Sequence, residues 1–301
     1  GQATLRALVG EGHEVTCFLR QGSLFVAPAD VAVHSGDIFA PTSAFAGEPF
    51  DAVVSCMASR SGMPRDAWAV DHDAHLAILE AAKAAGVARF VLLSALCVQQ
   101  PKLPFQHAKL AFEAKLRGSS LTYSIVRPTA FFKSLSGQVT RVRAGKPFLL
   151  FGDGQQTACK PISDDDLGAF IAECLVVPER ANAVLPIGGP GPAITPLQQG
   201  EALFEMLGKT AQYRRVPVAM MSVIIAVLTL AGLVSSKARD KADLARSGRY
   251  YATHSMLVWD EAAGAYSADA TPETGSERLI DFYDALIRGE ADVDLGDHAV
   301  F

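Results

Sequence analysis

Apolar residues along this chain fall into short, nearly unbroken runs separated by longer stretches with helical spacing, and that alternation predicts the architecture. Gln2 to Val9 places Leu5, Leu8 and Val9 on one helical face, and Glu11-Gly-His13 ends the helix. Glu14 to Leu19 then reads as a strand closing at Arg20. Further strands are predicted at Val31 to His34, Asp51 to Ser55, Arg89 to Ser94 and Leu121 to Val126. Val91, Leu92 and Leu93 are apolar without alternation, as a parallel strand covered on both faces requires. Between the strands, Ala67 to Ala85 predicts a long helix closed by Gly86, and Lys109 to Arg117 another. Strands alternating with helices predict an α/β fold, a Rossmann-type doubly wound parallel sheet.

A helix followed by a strand is the second half of a βαβ unit. The pattern therefore implies a first strand and a Gly-x-x-Gly-x-x-Gly loop upstream, with Gly1 as the last glycine, where a helix N-terminus meets a pyrophosphate. The expected division is a nucleotide-binding domain over 1–180, truncated at its N-terminus, and a smaller mixed α/β substrate lobe over 181–301.

The later chain is punctuated differently. Ser163-Asp-Asp-Asp166 is a helix start whose acids suit the helix dipole, and Phe151-Gly-Asp-Gly154 is a turn between short strands. Gly188-Gly-Pro-Gly-Pro192 follows a strand at Ala183 to Ile187 and is either shaped around something or a plain breaker. Ile194 to Gly208 is an amphipathic helix, and Ser276 to Arg288 the final one. Val216 to Ser236 carries no charge and approaches the roughly 20 apolar residues that a membrane span needs. Pro217 near its start, Gly232 near its end and the shared face of Ser222 and Thr229 favour a helix covering a hydrophobic ligand or dipping into a membrane surface over a true span. A buried lobe helix is the third option.

Composition narrows the function. The 301 residues are 50% hydrophobic and 20% charged, ample for a core, and a net charge of -5 argues against nucleic acid as the main partner. Five scattered cysteines without a CxxC pair predict reduced thiols in a cytoplasmic compartment. His72 and His75 lack a third ligand nearby, so they are expected to face solvent, and no metal is expected.

Candidate chemistry collects at strand ends, where open α/β sheets bind ligands. Arg20 stands where an NAD-binding protein would offer a carboxylate to the adenosine ribose; a guanidinium there selects the 2′-phosphate of NADP. Asp37 would reach the adenine edge. Ser55 and the small residues after it, Ala58 among them, would let a cofactor lie along the backbone. Ser94 ends one strand, Arg127-Pro128 ends the next, and Phe105-Gln-His-Ala-Lys109 opens the helix between them.

At Ser94 and Phe105 to Lys109 the chain resembles an atypical short-chain dehydrogenase/reductase in which the usual Tyr-x-x-x-Lys has become Phe-x-x-x-Lys. The segments from Val91 to Gln99, Phe105 to Glu113 and Thr122 to Ser134 resemble the NADPH-dependent divinyl chlorophyllide 8-vinyl reductases, an NmrA-like group. So do those from Cys159 to Ser163, Leu185 to Gly191, Gly248 to Ala252 and Ala299 to Phe301. The resemblance implies reduction of the C8 vinyl group of a divinyl chlorophyllide or protochlorophyllide to ethyl, in chlorophyll or bacteriochlorophyll synthesis. It also implies a tetrapyrrole as substrate, and a location in the cytoplasm or a plastid, peripheral to the photosynthetic membrane. Lys109 would hold the nicotinamide ribose and stabilise the anion formed after hydride transfer, with Ser94 hydrogen-bonding nearby and Arg127 and Pro128 shaping the nicotinamide pocket. Water, Lys109 or Tyr123 would supply the last proton. Two rivals keep the scaffold: a non-catalytic NADP-binding redox sensor or photosystem-assembly factor, and a reductase of another conjugated alkene.

Overall fold

A computed structural model of the chain describes residues 1–45 and 47–291. The resembling segment Ala299 to Phe301 lies outside the described residues. By Cα proximity the chain forms two compact units that interleave in sequence. The first comprises Gly1–Val98, Pro104–Arg127 and Asp164–Leu185; the second comprises Gln99–Leu103, Pro128–Ser163 and the chain from Pro186 onward. The chain thus passes between the two units several times.

In the first unit, helix Gln2–Gly10 leads to the parallel strands Thr16–Arg20 and Ala32–Gly36. A four-stranded sheet is built from Ala52–Ser55, Arg89–Leu93, Thr122–Pro128 and Ala183–Ile187, in that order. Its first three strands pair in parallel. Thr16–Arg20 and Ala52–Ser55 are each hydrogen-bonded on one side only.

The apolar runs became strands because both faces are covered. Phe90, Phe112, Leu116 and Ile125 are fully buried and pack with Ile78, Leu79 and Leu92 into one cluster. Each such side chain contributes about 1.5–3 kcal/mol. Helix Asp164–Glu173 lies against helix Gln2–Gly10 so closely that a Cβ on Gly168 would stand 2.8 Å from the Ala3 carbonyl, so only glycine fits there.

The expected helix over 67–85 is built in three pieces: Pro64–Ala67, a π-helical turn Trp68–Ala74, and His75–Ala84. The wider turn rotates Asp71 and His75 inward, and both are buried. His75 therefore does not face solvent as expected. Its Nδ1 lies 2.8 Å from the Val70 carbonyl and its ring packs, tilted, on Phe112 with centroids 4.9 Å apart. His72 is the outer member of the pair, 2.7 Å from Asp73.

In the second unit, strands Phe148–Phe151 and Tyr213–Val216 pair in parallel beside a cluster formed by Phe132, Leu203, Phe204 and Tyr283. Helix Pro196–Met206 begins with a capping box in which Thr195 and Gln198 exchange hydrogen bonds. The glycines at 188 and 189 are shaped around something definite. A Cβ on Gly189 would fall 1.9 Å from the Pro161 oxygen, and one on Gly188 2.8 Å from the Lys160 Cβ. The charge-free run folds as helix Val218–Ala231, and no helix among the described residues is long and apolar enough to cross a membrane.

Candidate functional site

The carboxyl ends of the parallel strands of the first unit bring together residues that the sequence separates. Helix Pro104–Arg117 follows the strand that ends before Ser94, and its Phe105, Lys109 and Glu113 recur every four residues, on one face. The Phe105 ring packs 3.4 Å from where a Cβ on Gly62 would stand. Lys109 is buried, and its Nζ lies 2.9 Å from Oδ1 of Asp71, whose side chain is wholly buried. Asp71 is held by Ser59: the Ser59 amide donates to Oδ1 at 3.2 Å and its hydroxyl to Oδ2 at 2.6 Å. A buried carboxylate with three such donors is satisfied as an anion.

One helical turn further along that face, Glu113 meets Ser94. The Ser94 Oγ donates to Glu113 Oε1 at 2.6 Å, and Arg127 grips the same carboxylate, through Nε to Oε1 at 3.1 Å and through its terminal nitrogen to Oε2. Ser94 and Arg127, each at a strand end, are thereby locked to the Lys109 helix. With its proton directed at Glu113, Ser94 can offer other groups only lone pairs. Pro128, the buried last residue of its strand, belongs to the second unit.

Tyr123 is not brought to this place. It sits at the amino end of its strand, paired with Phe90, and packs on the apolar cluster. Asp71 and Glu113 escaped sequence reasoning. Glu113 had a signal, its helical spacing from Lys109; Asp71 had none, because a π-helical turn aims it.

The nucleotide-binding residues occupy the other strand ends. Arg20 is exposed at the end of its strand. Asp37 follows the next strand, with Oδ1 already accepting from the Phe39 amide at 2.9 Å. Gly1 caps helix Gln2–Gly10 without a side-chain hydrogen bond, and no acid occupies the first turn. Its N-terminal amides are electrostatically suited to a phosphate. Ser55 ends its strand with a buried Oγ that has no hydrogen-bond partner, and Ala58 beyond it is exposed. An orphaned hydroxyl and an uncapped helix start, both at the carboxyl side of the sheet, fit a dinucleotide.

Beside Lys109, the titration of His75 is shifted. Burial and the Lys109 charge push its pKa down to about 4, so the ring is neutral near pH 7. Among the described residues no group of three or more His, Cys, Asp or Glu could hold a metal ion.

Residues 1–178 match a family model described as NAD(P)H-binding. The parallel sheet, its uncapped helix start and this match define a nicotinamide-nucleotide-binding protein of Rossmann type, and the chain belongs to that family. It belongs, within it, to the divinyl chlorophyllide a 8-vinyl-reductases. It is 46% identical to the chloroplastic divinyl chlorophyllide a 8-vinyl-reductase of Oryza sativa subsp. indica, over 100% of this chain and 79% of the rice protein. A more distant relative is the photosystem II assembly factor Ycf39 of a Synechocystis strain, 26% identical over 73% of this chain and 68% of its own length. The NADPH-dependent quinone oxidoreductase of Escherichia coli, crystallised with NADPH, shares the fold with a TM-score of 0.64 at 20% identity, over 95% of this chain and 96% of that one.

Proposed function

We propose that this protein reduces the C8 vinyl group of a divinyl chlorophyllide or protochlorophyllide to ethyl with NADPH. The observation that carries the reading is a buried Lys109 ammonium, fixed by Asp71, one helical turn from a phenyl ring where related reductases carry a phenol. A phenol there would protonate a carbonyl oxygen, whereas Phe105 has no proton to give, so the reducible bond carries no oxygen that needs one. A vinyl group conjugated with a macrocycle meets that condition, because charge left after hydride addition spreads over the ring system.

When bound, NADPH supplies the hydride. Gly1 and the first turn of its helix would hold the pyrophosphate, Arg20 the 2′-phosphate and Asp37 the adenine edge. Ser55 and Ala58 would lie along the cofactor, and Arg127 and Pro128 would shape the nicotinamide pocket. Lys109 would hold the nicotinamide ribose and keep positive charge beside the developing carbanion. Asp71 sets the direction of that ammonium, and Ser94 accepts a hydrogen bond. Since Ser94 gives its proton to Glu113 and Tyr123 lies at the far end of its strand, the carbon is protonated by Lys109 or by water.

The location that accords with this activity is a plastid or cytoplasmic compartment, in peripheral contact with the photosynthetic membrane. The exposed apolar helix Val218–Ala231 supports that contact. Chromatography of divinyl chlorophyllide incubated with the protein and NADPH is the test, and monovinyl pigment should accumulate as NADPH is consumed. NADPH binding without pigment turnover would instead favour the non-catalytic reading, to which the Ycf39 relatives lend weaker support.

A further inference from the structure

In the second unit, helices Val218–Ala231 and Ser236–Tyr251 form a hairpin whose first helix and turn expose apolar side chains. The first helix carries no charge and buries only Met221. Val223, Val227 and Leu230 are 63%, 59% and 69% exposed, and exposure rises into the turn, where Leu233 reaches 78% and Val234 92%. The second helix sets five cations, Lys237, Arg239, Lys241, Arg246 and Arg249, against Asp240 and Asp243, in a chain whose net charge is -5. Lys237 and Lys241 are exposed one turn apart, and Leu244, 52% exposed, continues their face.

The apex is held firmly. Arg239 donates to the Gly232 carbonyl at 3.0 Å and Arg246 to the Thr229 hydroxyl at 2.7 Å. A Cβ on Gly232 would meet the Arg239 backbone at 3.2 Å, so the two helices touch closely there.

Apolar side chains this exposed are stabilised by removal from water. Two features choose the occupant. The most exposed residues sit at a protruding turn rather than on a flat face, and lysines follow that turn directly. Such an arrangement matches a bilayer surface, whose acyl region takes apolar side chains and whose anionic headgroups take cations. At 1.5 Å per residue a 14-residue helix is about 21 Å long, short of the roughly 30 Å of hydrocarbon, so insertion is partial.

We infer that this hairpin docks the protein on a bilayer rich in anionic headgroups, with Leu233 and Val234 entering the acyl region and Lys237 and Lys241 meeting the headgroups. The inference rests on the peripheral-contact reading above and is independent of pigment reduction.

Flotation with vesicles tests it without pigment. Two kinds are used, phosphatidylcholine alone and an equal mixture with phosphatidylglycerol. The mixed vesicles should float about tenfold more protein at low salt, and high salt should erase the difference. Leu233→Asp with Val234→Asp should lower flotation on mixed vesicles about tenfold while the thermal melting curve stays put. Lys237→Glu with Lys241→Glu should bring the mixed vesicles down to the phosphatidylcholine level. Failure of the wild-type protein to float at all would sink the peripheral contact together with the hairpin. Undiminished flotation of the Leu233/Val234 variant would sink the hairpin alone, and equal flotation on both vesicles would sink the anionic preference. A dimer in solution that the same variant dissociates, with no flotation, would assign the apex to a second copy of the chain.

Discussion

The Nζ of Lys109 and the Oδ1 of Asp71 lie 2.9 Å apart in a buried pair, although one stands on a regular helix and the other on a π-helical turn. A buried ammonium is tolerable only with such a partner, so the position of Lys109 depends on Asp71. Lys109→Ala should lower turnover by about a hundredfold or more, the scale of losing one electrostatic stabiliser. Asp71→Ala should cost about 3–5 kcal/mol of stability, because it strands the lysine charge. Replacing both, Lys109→Met with Asp71→Leu, should restore stability but not turnover. Denaturant melts and the pigment assay separate the two effects, and full activity in Lys109→Ala would overturn the proposed mechanism.

Phe105 gives a second expectation on the same helix. Phe105→Tyr adds a phenol where no substrate oxygen awaits its proton, so monovinyl pigment should form at the wild-type rate or modestly slower. A large rise in turnover would mean that proton donation limits the reaction, and the source of the acid would then lie at this position.

Arg20 determines cofactor choice in this reading. NADPH should bind in preference to NADH, and Arg20→Asp should reduce that preference by about 1.5–3 kcal/mol, roughly ten- to a hundredfold, as expected for a charge-assisted phosphate contact. Fluorescence titration of both cofactors measures it. NADPH affinity that survives the substitution intact would remove Arg20 from the site.

His75 makes stability depend on pH. Its folded pKa, about 4, lies below the ordinary value of 6.5, so between those two values the unfolded chain binds more protons and stability rises with pH. The contribution is fully present above about pH 6.5 and is lost as pH falls toward 4, to a limit of about 3 kcal/mol. His75→Phe, which keeps a ring against Phe112, should flatten that part of the profile. Parallel urea melts of the two proteins across this range are the measurement, and an identical slope in both would place the acid sensitivity elsewhere.

Much of the fold was legible because burial is written locally. The unbroken run at Val91 to Leu93 had to be covered on both faces, and the helical spacing from Phe105 to Lys109 had to put ring and ammonium on one face. That Arg20 ends its strand was legible for the same reason, since a strand end can be counted along a chain. What Lys109 touches was not. Asp71 reaches it only through the π-helical turn, an irregularity that hydrophobic periodicity does not encode, and the same turn buries His75, which sequence spacing alone assigned to solvent. In the sequence the glycines at 188 and 189 fit a plain breaker equally well; only the fold presses Lys160 against Gly188 and the Pro161 backbone against Gly189. The sequence by itself determined which surfaces must leave water, because that depends on residue type and period. The tertiary structure alone decided which buried charge meets which, because an ion pair joins groups far apart in sequence and its energy depends on their separation and burial in the folded chain.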